Sequence, residues 1–239
     1  MHEVHWGSRL TQGALAVFAG LAILVMSGSM EARAGEIPVW DASTTNGIRV
    51  EASSIGTHRS IAVQVTNHSQ STMEVSFPYG AFFKVENPGY QNLAVVFEST
   101  VTIPSGDTAS LNIKTSCMDA SKSMAPSGYG AWTPSQDVAL GNLLRFYDAS
   151  RPLVEQVTGA HHHDTEEKRH NFLQLLIWTY YDGDKTHMKQ FATQYIFDGD
   201  SEAANDYVDT LYPMVKTVLD IYKGGNQGGG TPLPIPLPF

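Results

Sequence analysis

Between Ile48 and Cys117 the chain alternates apolar and polar residues in runs too short for helices, and the runs are separated by turn chemistry. Ile48-Arg49-Val50-Glu51-Ala52 and Ile61-Ala62-Val63-Gln64-Val65 show the period of two most clearly. Met73 to Phe77, Phe82 to Val85, Leu93 to Phe97, Thr100 to Ile103 and Ser110 to Thr115 follow. The breaks include Asn67-His68-Ser69, Pro78-Tyr79-Gly80, Asn87-Pro88-Gly89 and Pro104-Ser105-Gly106-Asp107. Proline presets φ there, glycine tolerates positive φ, and Asn, Asp and Ser bond their own backbone. Short strands at near-regular spacing, with no helix between them, predict an antiparallel, Ig-like β-sandwich over residues 35–118. That architecture is reused for adhesion, binding and spacing, so it specifies no function.

The pattern then changes. Residues 119–134 carry Pro126, Gly128, Gly130 and Pro134 and read as a loop or linker. From Ser135, as a candidate cap, Val138, Leu140, Leu143, Leu144 and Tyr147 recur at helical spacing, and Pro152 to Val157 reads as a short further turn. Thr165-Glu166-Glu167 opens a longer helix, to about Tyr181. Phe172, Leu175, Leu176 and Thr179 share one of its faces, and Leu173 and Ile177 widen the stripe. Two more helices are expected, from Thr186 to Phe197 and from Ser201 to Lys223, the second bent or restarted at Pro213. Residues 135–223 thus form a helical domain, and the fold class is α+β. Residues 224–239 are a tail: a GGNQGGG linker, then proline at every second position. It is expected to be flexible and extended, or a tethered ligand for a partner groove.

Residues 1–34 read as an export signal. Arg9 supplies the charge, Gly13 to Met26 the uncharged apolar run, and Ala32-Arg33-Ala34 the small-x-small cleavage site. The run is shorter than the ~20 apolar residues of a membrane span. The mature chain is therefore expected to start near Gly35, outside the cytoplasm, with no transmembrane segment. The net charge of −9 argues against nucleic acid and anionic membrane surfaces as partners. One cysteine, Cys117, allows no internal disulfide.

Three constellations could carry chemistry. The first is the histidine-rich stretch His161 to His170. If its helix starts one residue before Asp164, then His163, Glu167 and His170 lie at i, i+4 and i+7. One face would offer imidazoles and a carboxylate to Zn²⁺ or another divalent transition metal. The second is acidic. Asp198, Asp200, Glu202, Asp206 and Asp209 fit positions 1, 3, 5, 9 and 12 of a calcium loop. Ala203 stands where that loop needs glycine, so an Asp-Gly turn with Asp200 or Ser201 as helix cap is the better reading.

The third pairs Cys117-Met-Asp, with Pro126-Ser-Gly128-Tyr129 after it, with Gln174-Leu-Leu-Ile177-Trp178. Over about sixty residues this order resembles the thioester domains of bacterial surface adhesins. In those domains a cysteine in a Tyr-Cys context is bonded to the glutamine of a Thr-Gln-x-Ala-Ile-Trp motif. Ser116, Leu173 and Leu176 replace the Tyr, Thr and Ala of that pattern. The resemblance implies a covalent adhesin with Cys117 and Gln174 as the bonded pair.

No G-x-S-x-G and no phosphate-cradling glycine loop is present. The reading favours an exported, non-catalytic surface or periplasmic protein that recognises a protein or polymer. Tyr79, Tyr90, Tyr129 and Trp132 are its candidate contacts, because aromatic side chains dominate binding energy. A thioester adhesin at Cys117 and Gln174 and a metal-binding protein or metalloenzyme at His161 to His170 are the alternatives.

Overall fold

Among the described residues, nine strands build two sheets, and four longer helices follow them. A computed structural model describes residues 36–227 except Asn46. The expected export signal, and the proline-rich tail apart from its first residues, lie outside that range. The strands are β1 (Glu36–Pro38), β2 (Ile48–Ser54), β3 (Ser60–Asn67), β4 (Met73–Phe77), β5 (Ala81–Val85), β6 (Leu93–Val95), β7 (Ser99–Ile103), β8 (Thr108–Cys117) and β9 (Trp132–Gln136). A one-turn helix α1 (Val39–Ala42) follows β1. After β9 come α2 (Val138–Thr158), α3 (Glu166–Tyr181), α4 (Lys185–Tyr195) and α5 (Ser201–Gln227).

The large sheet has the order β2-β3-β8-β6-β5-β9, with every neighbour antiparallel. The small sheet has the order β1-β4-β7. In it β4 and β7 are antiparallel, but β1 and β4 are parallel. The α+β content matches the expectation, and two details of the strand pattern do not. Trp132–Gln136, read as loop and helix start, is the edge strand β9 paired with β5. Pro134 inside it and Gly130 before it mask the strand signal, and proline is tolerated at such an edge. The parallel β1 could not be read either, because three residues carry no periodicity.

Alternation sends Ile61, Val63 and Val65 of β3, Phe83 of β5, and Val75 and Phe77 of β4 into one contiguous buried cluster. Helix α3 lies at its centre and packs on β8 and α5. Thr165 caps it by accepting from the Lys168 N–H at 3.2 Å, and Glu166 and Glu167 complement the positive end of its dipole. From Phe172 to Trp178 every residue is buried, whichever way it points. Such a helix is enclosed by the fold rather than laid on its surface. Lys114 reaches Glu166 at 3.1 Å, and Arg59 reaches Glu167 at 3.5 Å and Asn171 Oδ1 at 2.9 Å. These exposed pairs add little energy each.

Both mid-helix prolines are absorbed. Pro152 lies inside a single α2, where a short further turn was expected, and Pro213 lies inside a single α5, where a bend or a restart was expected. The Asp-Gly pairs turn the chain between helices. Gly183 and Gly199 hold φ of 72° and 93°. Asp184 then caps α4, and Asp200 Oδ1 accepts the N–H groups of Glu202 and Ala203 at 3.0 Å. Asp200 therefore acts as the helix cap that the sequence favoured over a calcium ligand. No helix among the described residues is long and apolar enough to cross a membrane.

Candidate functional site

Strand β8 outruns its neighbour β3. The last paired residue of β3, Ser60, faces Lys114, and the Arg59 carbonyl still takes the Thr115 N–H at 3.0 Å. Beyond that point the β3-side edge of β8 has no strand beside it. Buried backbone groups must find partners, and α3 supplies them from side chains. The Cys117 N–H donates to Gln174 Oε1 at 2.8 Å, and Gln174 Nε2 donates to the Cys117 carbonyl at 2.7 Å. The carboxamide of Gln174 thus closes a reciprocal pair, as a strand residue would. On the other edge Cys117 is opposite Leu93 of β6. Cys117 and Gln174 are both 0% exposed.

One helical turn earlier, His170 faces the Thr115 backbone on the same edge. The match is geometric. Four helix residues rise about 6 Å and two strand residues about 6.8 Å, so His170 and Gln174 meet Thr115 and Cys117 as successive rungs. Trp178, one more turn along, is fully buried against Phe191, with ring centroids 4.8 Å apart. His58, just before β3, stands edge-on to His170 at 6.2 Å and to Phe191 at 5.9 Å.

Cys117 also lines a small cavity of about 10 Å³, with Ser54, Thr57, Gln91, Leu93, Met124, Ala125 and Trp132. Residues 118–131 roof it and are tied down at several points. Gln91 Nε2 donates to the Lys122 carbonyl at 2.7 Å, and Gln91 Oε1 accepts from the Asp119 N–H at 3.3 Å. Ser54 Oγ donates to the Ala125 carbonyl at 3.0 Å. Tyr90, Tyr129 and Trp132 stack edge-to-face at 5.4 and 6.2 Å beside that roof. Three of the four expected contact aromatics therefore gather at one place, Tyr90 and Tyr129 half-buried and Trp132 buried. Tyr79 does not join them. It is 9% exposed, in the turn before β5, and burial first, then Asp148 and Glu98, raise its hydroxyl pKa.

Burial, and secondarily Asp119, pushes the Cys117 thiol well above its usual pKa. His58 is lowered to about 3 and His170 to about 4, each mainly by burial. Both imidazoles are therefore neutral at neutral pH. His58 Nε2, His170 Nε2 and Ser116 Oγ are buried without a hydrogen-bond partner.

The expected metal face is not formed. The helix starts at Glu166, so His163 precedes its cap and turns inward instead. Tyr147 Oη lies 2.8 Å from His163 Nδ1, and Thr158 Oγ1 lies 3.0 Å from Nε2. Thr158 spends its one proton on the Val154 carbonyl at 2.7 Å. His163 Nε2 must then donate to Thr158, and Nδ1 accepts from Tyr147. Both ring nitrogens are committed, Glu167 faces Arg59 in solvent, and His170 is buried at the sheet edge. Among the described residues no three His, Cys, Asp or Glu side chains could together hold a metal ion.

The sequence named Cys117 and Gln174, and the structure brings them together. It also singled out His170, but as a metal ligand. His58 and Gln91 were missed, because single polar residues in strand connections carry no pattern. No protein-family pattern, curated protein or solved structure matches this chain.

Proposed function

We propose that this is an exported recognition protein that captures its partner through an internal thioester between Cys117 and Gln174. The β region, in this reading, is an Ig-like sandwich that carries the cysteine, and the helical region presents the glutamine. One observation supports it above the others: the Gln174 carboxamide is held at Cys117 by two reciprocal hydrogen bonds, in a junction closed to solvent. Proximity of this kind converts a slow bimolecular acyl transfer into an intramolecular one. The Cys117 thiol adds to Gln174 Cδ, the C–N bond breaks, and Nε2 leaves as ammonia with the thiol proton. Burial then shields the acyl group from water until a partner nucleophile reaches it. That nucleophile takes the acyl group, and Cys117 is released as a thiol.

Intact mass decides it. The folded protein should weigh about 17 Da less than its sequence, the mass of ammonia, and its thiol should resist alkylation even when denatured. A small primary amine should open the bond and restore the thiol. An unmodified mass, with Cys117 alkylated after denaturation, would reject the covalent reading. The alternative is then a non-covalent recognition module. It is favoured by the gathering of Tyr90, Tyr129 and Trp132 beside the cavity roof, with Gln174 serving only to complete the sheet edge.

A further inference from the structure

The cavity beside Cys117, at about 10 Å³, has room for one water at most. Nothing larger reaches the sulfur unless a cover moves. Ser54, Leu93 and Trp132 of its lining belong to strands, and Gln174 closes the junction from the buried helix α3. Thr57 and Gln91 sit in short connections between neighbouring strands. The roof is built differently. Residues 118–131 join β8 to β9 without a helix or strand, and Met124 and Ala125 of this segment face the cavity. Its buried apolar residues are Met118, Ala120 and Ala125, whereas Ser121, Ser123 and Pro126 to Gly128 are exposed. Hydrogen bonds hold it instead, and most run through two buried polar residues. Gln91, 1% exposed, donates Nε2–H to the Lys122 carbonyl at 2.7 Å and its backbone N–H to the Ser123 carbonyl at 3.0 Å. Its Oε1 accepts from the Asp119 N–H at 3.3 Å. Ser54, 3% exposed, donates Oγ–H to the Ala125 carbonyl at 3.0 Å. A segment with so few buried apolar contacts opens at a lower free energy than the whole molecule.

We propose that residues 119–127 are a strap that opens as one unit, with both sheets and all helices intact, and that this opening is the entrance to Cys117. Opening breaks the bonds to Gln91, the Ser54 Oγ bond and the bond from the Ser123 N–H to the Gly89 carbonyl at 3.3 Å. The strap keeps its own internal bonds: Asp119 holds Ser121 Oγ at 2.5 Å and Lys122 Nζ at 3.3 Å. One end pivots at Met118, whose N–H stays on the Asn92 carbonyl at 3.0 Å. The other pivots at Gly128, whose φ of 83° suits glycine. Beyond it the Gly128 N–H and the Tyr129 carbonyl stay on the Ser54 backbone at 2.7 and 2.8 Å. The proposal goes beyond the thioester reading and does not rest on it. A partner nucleophile enters this way where the bond is formed, and a thiol reagent where it is not.

Labelling of the native protein in sub-denaturing urea, followed by intact mass, tests the entrance. Cys117 is the one cysteine, so each adduct reports it. Iodoacetamide should label wild type at a rate almost independent of urea below the unfolding transition, because a local opening exposes little surface. Gln91→Leu and Ser54→Ala, each folded by circular dichroism, should label at least about 10-fold faster without urea. Gly141→Ala, which weakens the fold at the Tyr79-Gly80 turn instead, should keep the wild-type rate. A wild-type rate that climbs with urea as steeply as global unfolding would overturn the proposal. So would strap variants that label no faster than wild type, or no faster than Gly141→Ala. The urea slope of the wild type decides the matter even where neither variant folds. Where the chain carries the thioester, methylamine replaces iodoacetamide, and the mass gained on opening the bond is read with the same expectations. The mass before any reagent decides the bond and the rate decides the strap, so each can fail alone.

Discussion

At the scale of single residues, Gln174 does what a strand does, with one side chain. Replacing it with leucine leaves the Cys117 N–H and carbonyl buried and unpartnered. An unsatisfied buried group costs about 1–3 kcal/mol, so Gln174→Leu should lose about 2–4 kcal/mol in urea unfolding. Cys117→Ala keeps both backbone bonds and, in protein without the thioester, should cost about 1 kcal/mol. Both are measured on uncross-linked protein. A larger loss for Cys117→Ala than for Gln174→Leu would show that the carboxamide pair does not hold the sheet edge. The Cys117–Gln174 pair was suggested by a resemblance in residue order, and the structure brings the two together. The burial of Gln174 was not, since glutamine on a helix ordinarily faces water and only the end of β3 beside β8 gives this one a buried task.

At the scale of elements, the Tyr79-Gly80 turn packs backbone to backbone on the start of α2. A Cβ on Gly141 would lie 2.8 Å from the Tyr79 carbonyl oxygen, and Gly80, at φ of 89°, meets the Asp137 carbonyl just as closely. Gly141→Ala should therefore destabilise by about 1–3 kcal/mol, although alanine is the better helix former. Gly224, in α5, has no neighbouring heavy atom within 4 Å of such a Cβ. Gly224→Ala should instead be neutral or stabilising by up to about 1 kcal/mol. Thermal unfolding of the two variants checks the contrast, and equal shifts would mean that the joint is loose. The helices themselves were legible from period and caps, α3 most of all. Strand β9 was not, because its place is set by pairing with β5 rather than by its own alternation.

At the scale of the whole molecule, three buried histidines make the fold sensitive to acid. His58, His163 and His170 sit at about 3, 4 and 4 when folded, against about 6.5 in an open chain, with burial the main cause. Each lowered value means that the unfolded chain binds protons first. Stability is thus fully present above about pH 6.5 and is lost as pH falls from there towards 3. Urea midpoints at pH 7.5, 6 and 5 should fall in that order, and His163→Phe should flatten the trend. A midpoint independent of pH over that range would contradict the neutral, buried state of these rings. By itself the sequence determined where strands give way to helices and which residues turn the chain. Those are properties of short segments: the period of apolar residues, the dihedral preferences of Gly and Pro, the capping of helix ends. Only the tertiary structure decided that β1 runs parallel to β4, that His163 turns to Tyr147 and Thr158 instead of joining His170, and that α3 stands in for the missing end of β3. Each of those depends on a backbone or ring partner far away in the chain or across a helix end, and local periodicity carries no record of it.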